Sequence, residues 1–142
     1  MHSLNHILDV GTPFVIFEAY VSSYHEFIDF IKFGWGSALI DPEFESKKEI
    51  CERFGIKPLL GGTFFEYMIH HHGFADFVKK IEKFGLQCVE LSRGTIDIDD
   101  SLYASYIKQL SSDYYVMSEV GRKSSDPSQA LTPSQWLAHC EL

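Results

Sequence analysis

Short apolar runs and longer stretches of helical spacing take turns along this chain. Five runs rich in Val, Ile, Phe, Tyr or Leu have the length and composition of strands: Phe14–Phe17, Ile28–Phe33, Pro58–Leu60, Cys88–Leu91 and Tyr114–Ser118. Each is followed by Gly, Ser or a charged residue instead of a hairpin turn. Between them, apolar positions recur at helical intervals in Glu43–Phe54 (Ile50, Phe54), Phe74–Phe84 (Phe74, Phe77, Val78, Ile81) and Leu102–Leu110 (Leu102, Tyr106, Leu110). Gly55 and Gly85 stand where left-handed helix ends are expected. Thr132-Pro133 predicts an N-cap followed by proline in the first turn of a last helix, on which Trp136 and Leu137 would face the core.

Strands that alternate with helices pair in parallel, because a crossover helix returns the chain to the same end of the sheet. Runs without strict polar alternation suit strands covered on both faces. The expected class is therefore α/β with parallel βα repeats, and an open doubly wound sheet and a partial barrel both satisfy it. In either, ligand chemistry gathers past the C-terminal ends of the strands. No linker divides residues 1–142, so a single domain is expected; the one loop-like shift in composition is Ser124–Ala130.

Length sharpens this picture. The 142 residues suffice for one core but fall short of the roughly 250 of a closed eight-unit barrel. A content of 45% hydrophobic and 15% aromatic residues can bury such a core. The formal charge of −8 argues against a nucleic-acid partner, since phosphate contacts need clustered Lys and Arg. No apolar run approaches the roughly 20 residues of a membrane span; Glu18, Lys32 and repeated glycines interrupt each candidate. Cys51, Cys88 and Cys140 are odd in number and far apart, without a CxxC or a leader before them, which predicts free thiols and a cytoplasmic location. Cys88, opening a strand, is expected to pack in the core.

The strand ends carry the candidate chemistry. Lys32 leaves the second strand ahead of Gly34-Trp35-Gly36, and Gly61-Gly62-Thr63 follows the third; glycines there let backbone approach a ligand or simply turn. Glu90 and Ser92 share one side of the fourth strand by period two. An inward carboxylate needs a partner, a proton or a metal. Ser118-Glu119-Val120-Gly121-Arg122-Lys123 ends the fifth strand with a carboxylate and then cations. His70-His71-His72 is expected to be the exposed end of a short helix, because consecutive helical side chains diverge by about 100° and cannot share one ion. Asp97, Asp99 and Asp100 are expected to favour the start of the following helix electrostatically.

Taken together, four stretches resemble the phosphosulfolactate synthase family: Asp29-Phe30-Ile31-Lys32-Phe33-Gly34-Trp35-Gly36, Gly61-Gly62-Thr63-Phe64-Phe65-Glu66, Val89-Glu90-Leu91-Ser92 with Gly94, and Ser118-Glu119-Val120-Gly121-Arg122-Lys123, followed by the Leu131-Thr132-Pro133 helix start. The resemblance implies a TIM (β/α)8-type barrel truncated to about five units. It also implies magnesium-dependent addition of sulfite to phosphoenolpyruvate, giving (2R)-phospho-3-sulfolactate, a lyase activity of coenzyme M biosynthesis. Carried over residue by residue, Lys123 would be the general acid, its pKa lowered by cationic neighbours. Lys32 would act with it and bind the substrate's anionic groups, helped by Gly61, Gly62 and Arg122. Glu90 and Glu119 would hold Mg2+ or order its water.

Arg93 stands where relatives carry Asp, and the first unit looks shortened, with about ten residues between the first two predicted strands. Open sheet edges predict a homo-oligomer. The alternatives are a non-catalytic relative, similar to the heat-stress-associated proteins of plants, and an inactive truncated fragment.

Overall fold

The computed structural model describes residues 4–141. Five strands form a single sheet in sequence order: β1 (His6–Asp9), β2 (Phe30–Phe33), β3 (Lys57–Leu60), β4 (Cys88–Leu91) and β5 (Tyr115–Ser118). Every neighbouring pair is parallel. The crossovers contain α1 (Phe14–Tyr24), α2 (Phe44–Arg53), the pair α3 (Gly62–His71) and α4 (Phe74–Phe84), and α5 (Asp100–Leu110); α6 (Pro133–Cys140) follows β5. This is the expected α/β repeat of five units, and the sheet does not close: β1 and β5 are its two edges.

The sheet curls strongly. Strands spaced about 4.8 Å apart would put β2 and β5 roughly 14 Å from each other if flat, yet the rings of Phe30 and Tyr115 meet across the concave face with centroids 5.4 Å apart. Phe30, Leu59 and Cys88 are buried there beside Met117. The larger core lies on the helical side, where Ile31, Phe33, Leu60, Val89 and Leu91 of the sheet meet Phe17, Val21, Ile50, Phe65 and Phe77 of the helices. Alternate strand residues thus serve two interiors, which is why the strands lack polar alternation.

One expected strand is a helix. Phe14–Phe17 opens α1, and the first strand is instead His6–Asp9. A run of four apolar residues has no readable period; what decides is that Phe17 and Val21, one helical turn apart, are both buried against the sheet. The first unit is therefore not shortened, since α1 is an 11-residue helix. Strand two begins at Phe30 instead of Ile28, because a 3-10 turn over His25–Phe27 intervenes. Gly55 and Gly85 do take left-handed backbone at φ 73° and 65°, and Thr132 and Gln135 form a capping box.

The expectation that Trp136 and Leu137 are core residues fails: they are 46% and 68% exposed. Helix α6 buries none of its residues and follows the edge strand, so no interior strand lies beneath it. The three cysteines are free, with Cys51 and Cys88 buried and Cys140 exposed. No helix among the described residues is long and apolar enough to cross a membrane.

Where β1 ends, a buried ion cluster ties the first two units together. The Lys47 ammonium of α2 donates to Asp9 at 3.0 Å and to Asp41 at 2.6 Å, and Asp9 also accepts from the Thr12 amide at 2.9 Å. Burial alone would raise the Asp9 carboxyl, but the Thr12 and Lys47 hydrogen bonds outweigh it and hold Asp9 below its ordinary 3.8. Removing one partner of such a cluster leaves buried charge uncompensated. Lys47→Ala is therefore expected to cost about 3–5 kcal/mol, measured by urea denaturation. Because the Asp9 carboxyl is depressed on folding, its stabilising contribution is complete above 3.8 and disappears as pH falls through the folded value; the same titration on Lys47→Ala should lose part of that acid dependence.

Candidate active site

Parallel strands bring their C-terminal ends to one rim, and there Lys32, Gly61, Gly62, Glu90, Glu119 and Lys123 line a common pocket of about 160 Å³. With Leu8 of β1 also in the lining, residues from all five strand ends, up to 115 positions apart in the chain, share one hollow. Trp35 sits at its margin with its indole 75% exposed and a left-handed backbone, φ 53°, between Gly34 and Gly36.

On one side of the pocket, the Lys32 ammonium donates to both Glu90 oxygens, at 3.0 and 3.3 Å. Glu90 also accepts from the Gly62 amide at 2.7 Å, where that amide opens α3. Helix N-terminus and lysine together neutralise a carboxylate that the strand turns inward. Such an approach requires glycine: a Cβ on Gly62 would lie 2.3 Å from the Ser92 Cβ. A Cβ on Gly61 would press only lightly, on the flexible Lys32 side chain at 3.3 Å, with the Gly34 Cα at an ordinary contact distance of 3.5 Å.

On the other side, Lys123 is held by three partners. Its ammonium donates to Ser92 Oγ at 2.8 Å and Glu66 at 3.2 Å, and lies 3.1 Å from Glu119. Its backbone N–H donates to the Gly94 carbonyl at 2.8 Å. Glu66 is almost wholly buried and also accepts from the Gly94 amide at 3.0 Å, the Thr95 amide at 2.9 Å and the hydroxyls of Ser92 and Thr95. Burial would raise its carboxyl, but the Ser92 and Thr95 hydrogen bonds and the Lys123 charge outweigh that and leave it lowered.

Lys123 behaves opposite to expectation. Burial would lower its ammonium, and the Glu119 hydrogen bond together with the charges of Glu66 and Glu119 outweighs it, so the pKa is raised. Its nearest ionic partners are carboxylates, not cations.

Arg93 turns away from the pocket. It pairs with Asp100, donates to the Ile98 carbonyl at 3.4 Å and lies 4.7 Å over the Tyr103 ring, so its positive charge stays out of the pocket. Arg122 also faces elsewhere, bridging Asp97 at 2.6 Å and the Ile96 carbonyl at 3.3 Å beside a neighbouring polar depression that Lys123 also borders. Of the three acidic residues expected to favour the α5 start, Asp99 is the N-cap and Asp100 stands in the first turn; Asp97 and Asp100 also pair with the two arginines.

Sequence reasoning gave Glu66 no role, although it lies inside the Gly61–Glu66 stretch. The available signal was spacing, since Gly62, Phe65 and Glu66 fall on one face of a helix, and all three are buried. His70–His72 form the exposed end of α3 as expected. Among the described residues, no group of three or more His, Cys, Asp or Glu is arranged to hold a metal. Glu90 and Glu119 do line the same pocket, however.

The family model of (2R)-phospho-3-sulfolactate synthase (ComA) matches residues 1–142. The chain is 38% identical over 129 residues to the phosphosulfolactate synthase of Methanocaldococcus jannaschii, covering 89% of this chain and 51% of that protein. It is 30% identical over 133 residues to the phosphosulfolactate synthase of Bacillus subtilis, covering 94% and 53% respectively. A third, from Methanothermobacter thermautotrophicus, is 28% identical over 111 residues. The chain spans about half the length of the curated relatives it matches.

The glycines supply a direct check on the pocket wall. Gly62→Ala is expected to push α3 off β4 and lower stability by about 1–3 kcal/mol, the ordinary cost of overpacking. Gly61→Ala, whose tightest contact is with a movable side chain, should cost markedly less; thermal unfolding of the two variants side by side measures the difference.

Proposed function

The chain belongs to the (2R)-phospho-3-sulfolactate synthase family, and from that premise we propose that its pocket serves the addition of sulfite to phosphoenolpyruvate, giving (2R)-phospho-3-sulfolactate. The observation that carries this reading is a pair of lysines, Lys32 and Lys123, from different strand ends lining one pocket. Both reaction partners are anions, and a pocket that brings them together needs cations.

In this reaction the sulfur lone pair of sulfite forms a bond to the methylene carbon of phosphoenolpyruvate. The double-bond electrons move to the adjacent carbon and into its carboxylate, and that carbon then takes a proton. Lys123, held protonated by Glu66 and Glu119, is the proposed donor, becoming a neutral amine that solvent reprotonates. Lys32 is the proposed anion-binding group, with the Gly61–Gly62 backbone beside it in the pocket wall and Arg122, once released from Asp97, at the neighbouring depression. A carboxylate pair suits Mg2+, which binds through one or two carboxylates and completes its shell with water and substrate oxygens. Glu90 and Glu119 would be that pair; when bound, the ion would disperse charge building on the substrate carboxylate.

Sulfite-dependent consumption of phosphoenolpyruvate by the purified chain, with magnesium present, tests the reading. Turnover is expected, and Lys123→Ala should lower kcat by about 100-fold or more. Since Lys123 acts protonated and its pKa is raised, any basic limb it contributes to kcat/KM should lie above 10.5. A folded protein without turnover would support a non-catalytic role instead. Light scattering on the same sample reports whether copies associate, as the open edges β1 and β5 suggest.

A further inference from the structure

Glu66 is the most heavily engaged carboxylate near the pocket, yet it does not line it. Five donors from two segments converge on it: the Ser92 hydroxyl, the Gly94 amide, the Thr95 amide and hydroxyl, and the Lys123 ammonium. The first four would satisfy a buried anion by themselves. The fifth is a lysine that already has Glu119 as an ionic partner nearer solvent. An unconstrained lysine would take the wetter partner, because a flexible four-carbon stem loses entropy when its ammonium is drawn inward.

The stem is also guided. It passes over Gly94, where a Cβ would lie 2.6 Å from Lys123 Cγ and 2.9 Å from Cδ. Any side chain at position 94 would displace it. Gly94 in turn is fixed at both ends of its peptide geometry: its amide donates to Glu66, and its carbonyl accepts from the Lys123 backbone N–H at 2.8 Å. One carboxylate therefore anchors both the ammonium and the loop over which the stem runs.

We propose that Glu66, reaching from α3 to the ends of β4 and β5, is the positioning residue of Lys123: it holds the ammonium inward at the pocket and does not itself meet substrate. This rests on the reading of Lys123 as proton donor, but its test does not depend on turnover. Glu66→Gln keeps the shape and most acceptor capacity while removing the charge. In protein carrying 15N-labelled lysine, NMR should show the Lys123 ammonium, held in one orientation in the wild type, moving freely in Glu66→Gln. Where the wild type turns over, kcat should fall about tenfold or more with KM little changed, and Glu66→Asp should restore part of both.

A Lys123 ammonium as ordered in folded Glu66→Gln as in the wild type overturns the proposal. If Glu66→Gln does not fold, the pair is measured from its other end. Lys123→Met leaves Glu66 its four other donors, and the Glu66 carboxyl midpoint should rise; an unchanged midpoint overturns the proposal there. A wild type that shows this coupling but no turnover would refute the synthase reading and leave the positioning contact standing.

Discussion

Three charges at the strand-end rim are each met by opposite charge from another βα unit, and the arrangement of the rim follows from that constraint. Asp9 at the end of β1 finds Lys47 on α2, Lys32 on β2 finds Glu90 on β4, and Glu66 on α3 finds Lys123 beyond β5. The partners lie 38, 58 and 57 residues apart, so each pair can form only once the sheet has brought the units together. Such pairs are weak sources of net stability, because desolvating two charges cancels most of their attraction. Their physical effect is on position: each pair joins side chains of different units, so one unit's tip is held against another's.

That constraint also explains how far the sequence could be read. The repeat, its parallel pairing and four of the five strands were legible, because buried strands are short, apolar and followed by turn residues. The helix at Phe14 was misread as a strand because four apolar residues in a row carry no period; only Val21, one turn on, marks the buried face, and a single residue is thin evidence against a strand. Trp136 and Leu137 were misplaced because helical spacing says which face is apolar and not whether anything covers it.

At the site, the residues that line the pocket could be named from position alone, since parallel strands carry their ends to one rim. Their partners could not. Composition shows Arg122 beside Lys123 and suggests a cationic neighbourhood, whereas the folded chain turns Arg122 to Asp97 and surrounds the Lys123 ammonium with carboxylates. Adjacent residues diverge in direction, and charges distant in sequence decide the local field. Arg93 teaches the same point: its sign matters little to the pocket because Asp100 and the Tyr103 ring draw it behind the strand end.

A lysine held in its charged form is not thereby a poor acid for the proposed chemistry. A base such as histidine must sit near neutral pH to exchange protons in both directions. A donor to carbon faces a different demand: the carbanion left by sulfite addition is a far stronger base than any amine, so the driving force survives a raised pKa. What limits such a step is having the proton present and aimed when the charge develops. Carboxylates on two sides of Lys123 keep the proton present, and the contact with buried Glu66 gives it a fixed direction. They also make the pocket less welcoming to anions, so Lys32 and any divalent ion at Glu90 and Glu119 would have to offset a repulsion that the proton donor itself requires.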